Sequence, residues 1–360
     1  MNIRPIEKHH AGKWISSGNP RRILIVRMQA IGDVALTFPL VQALKNQYPD
    51  MEIDFLTRHI QGELSKNLTA IHKVIAITNS QRIWRQTLDI ALRMPYLISR
   101  KYDVIIDLQY NKPSCGLRRL LRPIAWAEFD RKGLEPAIVR YRNAVEASGL
   151  KISSQYPDLN LTNPLAGNQL LLKNDWDGKS ALVVLNPGGL FKSRNWPIEN
   201  YVGFAKQWLS LAPETQFLMM GDKRIESKAG FLKEQLGNRL INLYQKTTLE
   251  EAFSILSQVK FMISEDSGLY WMAWVQKVPS IAMFGSTPGS RMNMGGSHAR
   301  FLTSTDLPCG DCFLPACKFG ETALCLSRYT PQAMIALAQE IIGPELSKPC
   351  INQQIINQQS

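Results

Sequence analysis

Apolar runs too short for helices alternate with stretches of helical periodicity along this 360-residue chain, and the alternation runs twice. Ile23 to Met28 is nearly continuous in apolar residues, as a strand buried on both faces would be. From Val34 onward Phe38, Val41, Leu44 and Tyr48 mark one helical face, with Pro39 placed to kink it. "MEIDFLT" (51–57), "KVIAIT" (73–78) and "YDVIIDLQ" (102–109) read as further strands. The region 151–180, with Pro157, Pro164, Gly167 and Gly178, reads as a connection. The series then restarts with strands at "ALVVLNPGG", "QFLMMGD", "RLINLY", "KFMISED" and "PSIAMFG". Helices lie between them, one capped by Thr248 with Glu251 three residues on.

Such a pattern implies parallel sheets with helices on both faces. Two Rossmann-like halves imply a cleft between them, with strand C-termini facing it from both sides. The expected domains are 1–160 and 161–330. A helix at 331–343 is expected to pack back on the first domain, and the polar 344–360 tail to be disordered.

Charge is distributed unevenly. The formal net charge is +12, and residues 1–160 hold 24 Lys+Arg against 14 Asp+Glu. A basic first half favours an anionic partner such as nucleic acid, a phosphorylated saccharide or an acidic membrane. No apolar stretch approaches the roughly 20 residues of a bilayer span. The start lacks the apolar region of a signal peptide, so a cytoplasmic location is expected. The segment 81–102 interleaves Arg82, Arg85, Arg93, Arg100 and Lys101 with Trp84 and Tyr96. It suits either a membrane-surface helix or an ordinary amphipathic helix covering the sheet.

Neither glycine loop is a dinucleotide fingerprint or a Walker loop, since Gly32 stands alone without G-x-G-x-x-G and "NPGG" does not fit the G-x-x-x-x-G-K-S/T spacing. The second half offers two other phosphate devices. "EDSGL" (265–269) places Asp266, Ser267 and Gly268 at a helix start, where backbone N–H groups favour an anion. "GGLFKSRNWP" (188–197) is a glycine loop carrying Lys192 and Arg194. Both follow strands of one domain, which suits a diphosphate ligand. Cys309, Cys312, Cys317 and Cys325 crowd one segment, as a structural zinc or iron site or as a compact loop of reduced thiols.

Five segments, in order, resemble the motifs of glycosyltransferase family nine, the bacterial lipopolysaccharide heptosyltransferases. They are "ILIVRMQAIGDVALTFPLVQALKNQYP", "NPGGLFKSRNWP", "TTLEEAFSIL", "ISEDSGLYWMAW" and "VPSIAMFGSTPGSR". The resemblance spans about Arg22 to Pro331, and the cysteine-rich segment also occurs in part of that family. It implies an α/β GT-B fold and inverting transfer of a sugar from a nucleotide donor, typically ADP-heptose, with no cofactor or metal required. The implied acceptor is an anionic glycolipid at the cytoplasmic face of the inner membrane, with no nucleic acid involved.

By that resemblance Asp33 is the general base, placed to take the proton of the acceptor hydroxyl. The competing reading makes Asp33 a helix N-cap with no catalytic part. Arg194 falls where the family has a phosphate-contacting lysine. Ser267 and Gly268 fall on the phosphate turn, which Asp266 braces. Gly189 and Thr247 line the nucleotide, and Glu226 lies near the ribose. Trp271 stands where these enzymes commonly carry histidine. Two rival functions share some of these features: a nucleotide-sugar epimerase of the same architecture, and a nucleic-acid-binding protein using the basic half.

Overall fold

The structure, a computed structural model, describes residues 11–320 and 323–343. It divides into two compact units, Met1–Thr162 and Asn163–Ser360. The 344–360 tail lies outside the described residues.

The first unit carries β1 (Ala11–Gly12), β2 (Arg22–Val26), β3 (Glu52–Arg58), β4 (Lys73–Ile77), β5 (Val104–Asp107) and β6 (Ala125–Glu128). Their order is β1-β6-β5-β2-β3-β4, parallel throughout except for the two-residue β1. The connecting helices are α1 (Ile31–Ala35), α2 (Phe38–Gln47), α3 (His59–Ser65), α4 (Ile83–Ser99), α5 (Lys112–Leu121) and α6 (Ala137–Ala147). The single helix expected after β2 is two. The chain turns at Leu36–Thr37, and Pro39 sits in the first turn of α2, where its missing N–H costs nothing. Leu24, Val26, Leu56 and Ile105 of the sheet pack with Ile90 and Leu97 of α4.

The second unit repeats the plan with β7 (Leu182–Asn186), β8 (Gln216–Gly221), β9 (Leu240–Tyr244), β10 (Phe261–Glu265), β11 (Ser280–Met283) and β12 (Ala299–Leu302). Their order is β12-β11-β10-β7-β8-β9, all parallel. Its helices are α7 (Asn168–Lys173), α8 (Ile198–Leu211), α9 (Glu226–Leu236), α10 (Leu249–Leu256), α11 (Gly268–Trp274), α12 (Leu324–Ser327) and α13 (Pro331–Ile342). Thr248 and Glu251 form the reciprocal cap expected of α10, with Glu251 N to Thr248 Oγ1 at 3.1 Å and Thr248 N to Glu251 Oε2 at 2.8 Å. The core is aromatic, with Trp208 and Phe261 centroids 5.2 Å apart.

The connection at 151–180 contains the division between the units and is held by hydrogen bonds within each of them. Thr162 N bonds Asn67 O at 2.8 Å in the first unit, and Ser254 Oγ bonds Pro164 O at 2.7 Å in the second. Met334, Ile335 and Ala338 of α13 are buried against α8 and β11 within the second unit.

Strand order reverses once in each unit, between β2 and β5 and between β7 and β10. Chains leave such a switch point in opposite directions, and the crevice beyond the strand C-termini is where ligands of open α/β sheets sit. Because Met334 is fully buried, Met334→Ala should cost about 2–5 kcal/mol, read as a lower urea midpoint for the second unit.

Candidate active site

At the first switch point Arg27 directly follows β2, and α1 begins four residues later. Arg27 is buried beside the rings of Phe129 and Tyr141, each centroid 5.5 Å from its guanidinium carbon, and donates to Leu108 O. Its remaining amino group reaches Asp33 Oδ2 at 2.8 Å. Burial disfavours the guanidinium charge, but the neighbouring Tyr141 and Asp33 outweigh it, so its basicity is raised. Asp33 is the third residue of α1 and not its cap, which is Ala30. Its Oδ2 accepts Ala30 N–H at 3.0 Å, while Oδ1 takes no partner among the described residues. Helix-end support and an open carboxylate oxygen therefore coexist in one side chain.

The strand across the switch point contributes Asp107, Gln109 and Asn111. Buried Asp107 accepts N–H groups of Gln109 (3.0 Å) and Tyr110 (2.8 Å), and burial pushes its carboxyl upward. Gln109 Oε1 accepts Met28 N–H at 2.9 Å, tying the two loops together. At the end of β3, Arg58 is only 4% exposed, and its guanidinium bonds the side chains of Gln29 and Gln81. Among the described residues no carboxylate pairs with it, and burial lowers its basicity. Arg118 is buried in an ion pair with Glu128, its guanidinium carbon 3.6 Å from the centroid of Trp126, so not every cation of the basic first half lies at the surface.

At the second switch point Glu265, the last residue of β10, is fully buried. Its Oε2 accepts Gly189 N–H at 2.8 Å and Asn195 Nδ2 at 2.9 Å, and its Oε1 accepts Trp196 N–H at 2.8 Å. Burial raises its carboxyl despite Lys228 Nζ at 3.5 Å. One carboxylate thus fixes both ends of the 189–196 loop. Gly189 has to be glycine there, because a Cβ would stand 2.7 Å from Arg194 O and 2.8 Å from Glu265 Oε2.

Arg194 is buried between Phe191 and Phe313, at 4.4 and 5.1 Å from their centroids. It donates to Asp266 Oδ2 at 2.8 Å, and Thr287 Oγ1 donates to the same oxygen at 2.8 Å. Burial lowers its basicity, with Asp266 acting the other way. Ser267 caps α11, and Asn186 Nδ2 donates to its hydroxyl at 2.7 Å and to that of Ser264 at 2.7 Å. The structure therefore gathers Gly189, Arg194, Asp266, Ser267 and Gly268 around one switch point. Lys192 is exposed and makes no ion pair among the described residues. Glu226 follows β8, and Thr247 follows β9, so both stand at strand C-termini further along the same edge.

Trp271 is not a surface replacement for a histidine. It is 7% exposed, tilted against Phe284 and stacked on Phe301. The cysteine segment lies over the 190s loop: Ser193 N bonds Pro315 O at 3.3 Å, and Phe313 N bonds Ser286 O at 2.8 Å. Burial and the neighbouring thiols raise the Cys325 thiol, yet among the described residues no three His, Cys, Asp or Glu side chains are placed to hold a metal.

The sequence profile of glycosyltransferase family 9 (heptosyltransferase) matches residues 80–323. This chain belongs to that family. Lipooligosaccharide heptosyltransferase 2 of Campylobacter jejuni is 25% identical over 326 residues, covering 87% of this chain and 97% of that protein. Lipopolysaccharide heptosyltransferase 1 of Pseudomonas aeruginosa is 24% identical over 359 residues, covering 90% and 99%. Among solved structures, the family 9 glycosyltransferase of Veillonella parvula superposes with a TM-score of 0.73 at 18% identity, covering 89% of this chain and 97% of that one. Heptosyltransferase II of Escherichia coli superposes with a TM-score of 0.69 at 17% identity, covering 89% and 98%. The chain is thus a family 9 glycosyltransferase with the GT-B fold, and the epimerase and nucleic-acid readings give way.

Sequence reasoning passed over Arg27, Asn186 and Glu265. Glu265 stood beside Asp266 in "SED", and two adjacent acids at a strand end force one of them inward, since successive side chains alternate. Glu265→Gln would turn one acceptor oxygen into a donor facing N–H groups. It should cost about 2–3 kcal/mol, seen as a lower melting point together with weaker nucleoside diphosphate binding.

Proposed function

We propose that this family 9 enzyme moves a heptose from ADP-heptose to a hydroxyl of an inner-core lipopolysaccharide or similar surface glycan. Inversion, independence of metal and work at the cytoplasmic face of the inner membrane belong to the same reading. The Escherichia coli neighbour is described as an ADP-heptose enzyme, which supports the donor. The two curated relatives support the acceptor class.

The observation that carries the mechanism is the division of labour in Asp33: Oδ2 is anchored by Arg27 and Ala30, and Oδ1 is open. The acceptor hydroxyl attacks the anomeric carbon from the face opposite the diphosphate. Its proton passes to Asp33 Oδ1 as the new C–O bond forms, and the old C–O bond leaves with its electron pair on the diphosphate. The negative charge gathering there is met by Arg194, by Lys192 and by N–H groups of the Ser267–Gly268 turn. Asp266 holds Arg194 in place for this, and Gly189, Thr247 and Glu226 line the nucleoside. Arg58, a buried cation without a carboxylate, suits an anionic group of the acceptor.

A thermal-shift panel of nucleoside diphosphates and nucleotide sugars, followed by transfer to a heptose-free core acceptor, tests this reading. Selective stabilisation by ADP and ADP-heptose with transfer supports it. An epimerised or freed sugar produced from the donor alone sinks it.

Asp33→Asn should retain donor affinity while kcat falls about 10²–10⁴-fold, the usual size of a general-base contribution. Near-normal turnover would reduce Asp33 to a helix-end group.

Arg194→Ala should weaken ADP binding by about tenfold or more and slow transfer as well, because a charge-assisted contact to the leaving phosphate is lost. Lys192→Ala should do less. Isothermal titration with ADP separates the two, and unchanged ADP affinity in the Arg194 variant rules out this placement of the loop.

A further inference from the structure

Helix α4 buries one face properly and leaves an apolar face open. Gln86, Ile90 and Leu97 are buried against the sheet. Its C-terminal end is fastened by Arg100 Nε to Asp54 Oδ2 at 2.9 Å and by Arg100 to Glu52 at 2.6 Å. The inner face is therefore fully engaged. On the opposite side Trp84, Leu88, Ala91, Pro95 and Ile98 recur at steps of three and four residues, with Leu92 beside them. Trp84, Leu88, Leu92 and Ile98 are 55–71% exposed. An amphipathic helix normally shows polar residues there.

The charges around this face decide what covers it. Residues 81–124, which run through α4 and its neighbour α5, hold nine Lys and Arg against three Asp and no Glu. None of the three acids is a free surface charge: Asp89 pairs with Arg93, Asp103 accepts N–H groups of Arg21 and Arg22, and Asp107 is buried. Arg82, Arg85, Lys101, Lys112, Arg119 and Arg122 are exposed, and Arg85 lies 5.2 Å from the ring of Trp84. A second copy docked through this face would bring like charges together, which disfavours self-association. An apolar stripe with tryptophan, rimmed only by cations, fits the interface of an anionic bilayer.

We propose that the outer face of α4 is the membrane-docking surface of this enzyme. The helix lies flat on anionic phospholipid with Trp84, Leu88, Leu92 and Ile98 among the headgroups. Arg82 and Arg85 rest at the phosphates. The inference rests on the reading of a lipid-borne acceptor and gives that reading a physical address on the protein.

Co-sedimentation of the full chain with vesicles tests it, using phosphatidylcholine alone and an equimolar mixture with phosphatidylglycerol. The wild type is expected to bind the mixed vesicles and to release with salt. The Arg82→Ala/Arg85→Ala pair should bind roughly thirtyfold more weakly, the sum expected for two cations near an anionic surface. Leu88→Ser/Leu92→Ser should lose roughly tenfold or more through lost apolar insertion, with an unchanged melting point and unchanged transfer to a water-soluble acceptor. Equal vesicle binding by wild type and both variants overturns the proposal. So does a dimer in sedimentation that the Leu88/Leu92 variant dissociates, because the occupant would then be a second copy. Vesicle binding is read without substrate, so its failure leaves the transferase reading standing, and failed transfer leaves the docking result standing.

Discussion

A carboxylate at the end of a fully buried strand has to collect hydrogen bonds or stay neutral, and Glu265 collects them from one loop. Everything at the second switch point follows from that demand. The backbone of 189–196 curls back to supply the donors, which leaves no room for a Cβ at Gly189 and brings Arg194 over to Asp266. Asp266, the next residue along, faces the other way and ties in Thr287. Two adjacent acids thus split the work, one rigidifying the loop from beneath and one orienting Arg194.

The first switch point uses the opposite sign. There a buried arginine is the anchor, and the carboxylate at its tip remains half open. An arginine held by two aromatic rings and a carbonyl cannot swing, so the oxygen it grips cannot swing either. Pre-organisation of this kind supports the proposed role of Asp33 as base, since the carboxylate need not first be ordered by substrate. The same accounting tempers the first unit's formal charge. Arg22, Arg27, Arg93, Arg100 and Arg118 are matched by carboxylates, and the field outside comes from those that are not.

How far the sequence revealed this depends on the kind of signal. Long parallel strands such as β2 and β7 announce themselves by continuous apolar runs, because both faces are covered. The four-residue strands β6 and β12 lie towards the sheet edges, and "AWAE" and "ARFL" are too short to carry a pattern. Asp33, Arg194, Asp266 and Ser267 were visible because strand ends followed by glycine and helix caps are local features. The partners that hold them were not, since Arg27 reads as part of a strand and its pairing is a matter of topology. Charge counting overstates the surface charge of the first unit, because composition cannot see that Arg118 is buried against Glu128. Trp271 looked like a change at the site and proved to be core packing. The apolar outside of α4 was blurred for a related reason: its sequence is amphipathic in charge, but only burial shows which side faces the sheet.

The attachment of the 189–196 loop to residues far along the chain has a consequence for how the protein is born. Ser193 reaches Leu314 and Trp196 reaches the carbonyl of Tyr329, across 121 and 133 residues of sequence. On the ribosome the first unit is whole long before these partners emerge. The 189–196 loop must therefore wait, tethered but unfinished, until Tyr329 has left the exit tunnel. Contacts of such long range are slow to form and expose apolar surface meanwhile. Synthesis that stalls before that point would yield a chain with an intact first unit and an unfastened 189–196 loop.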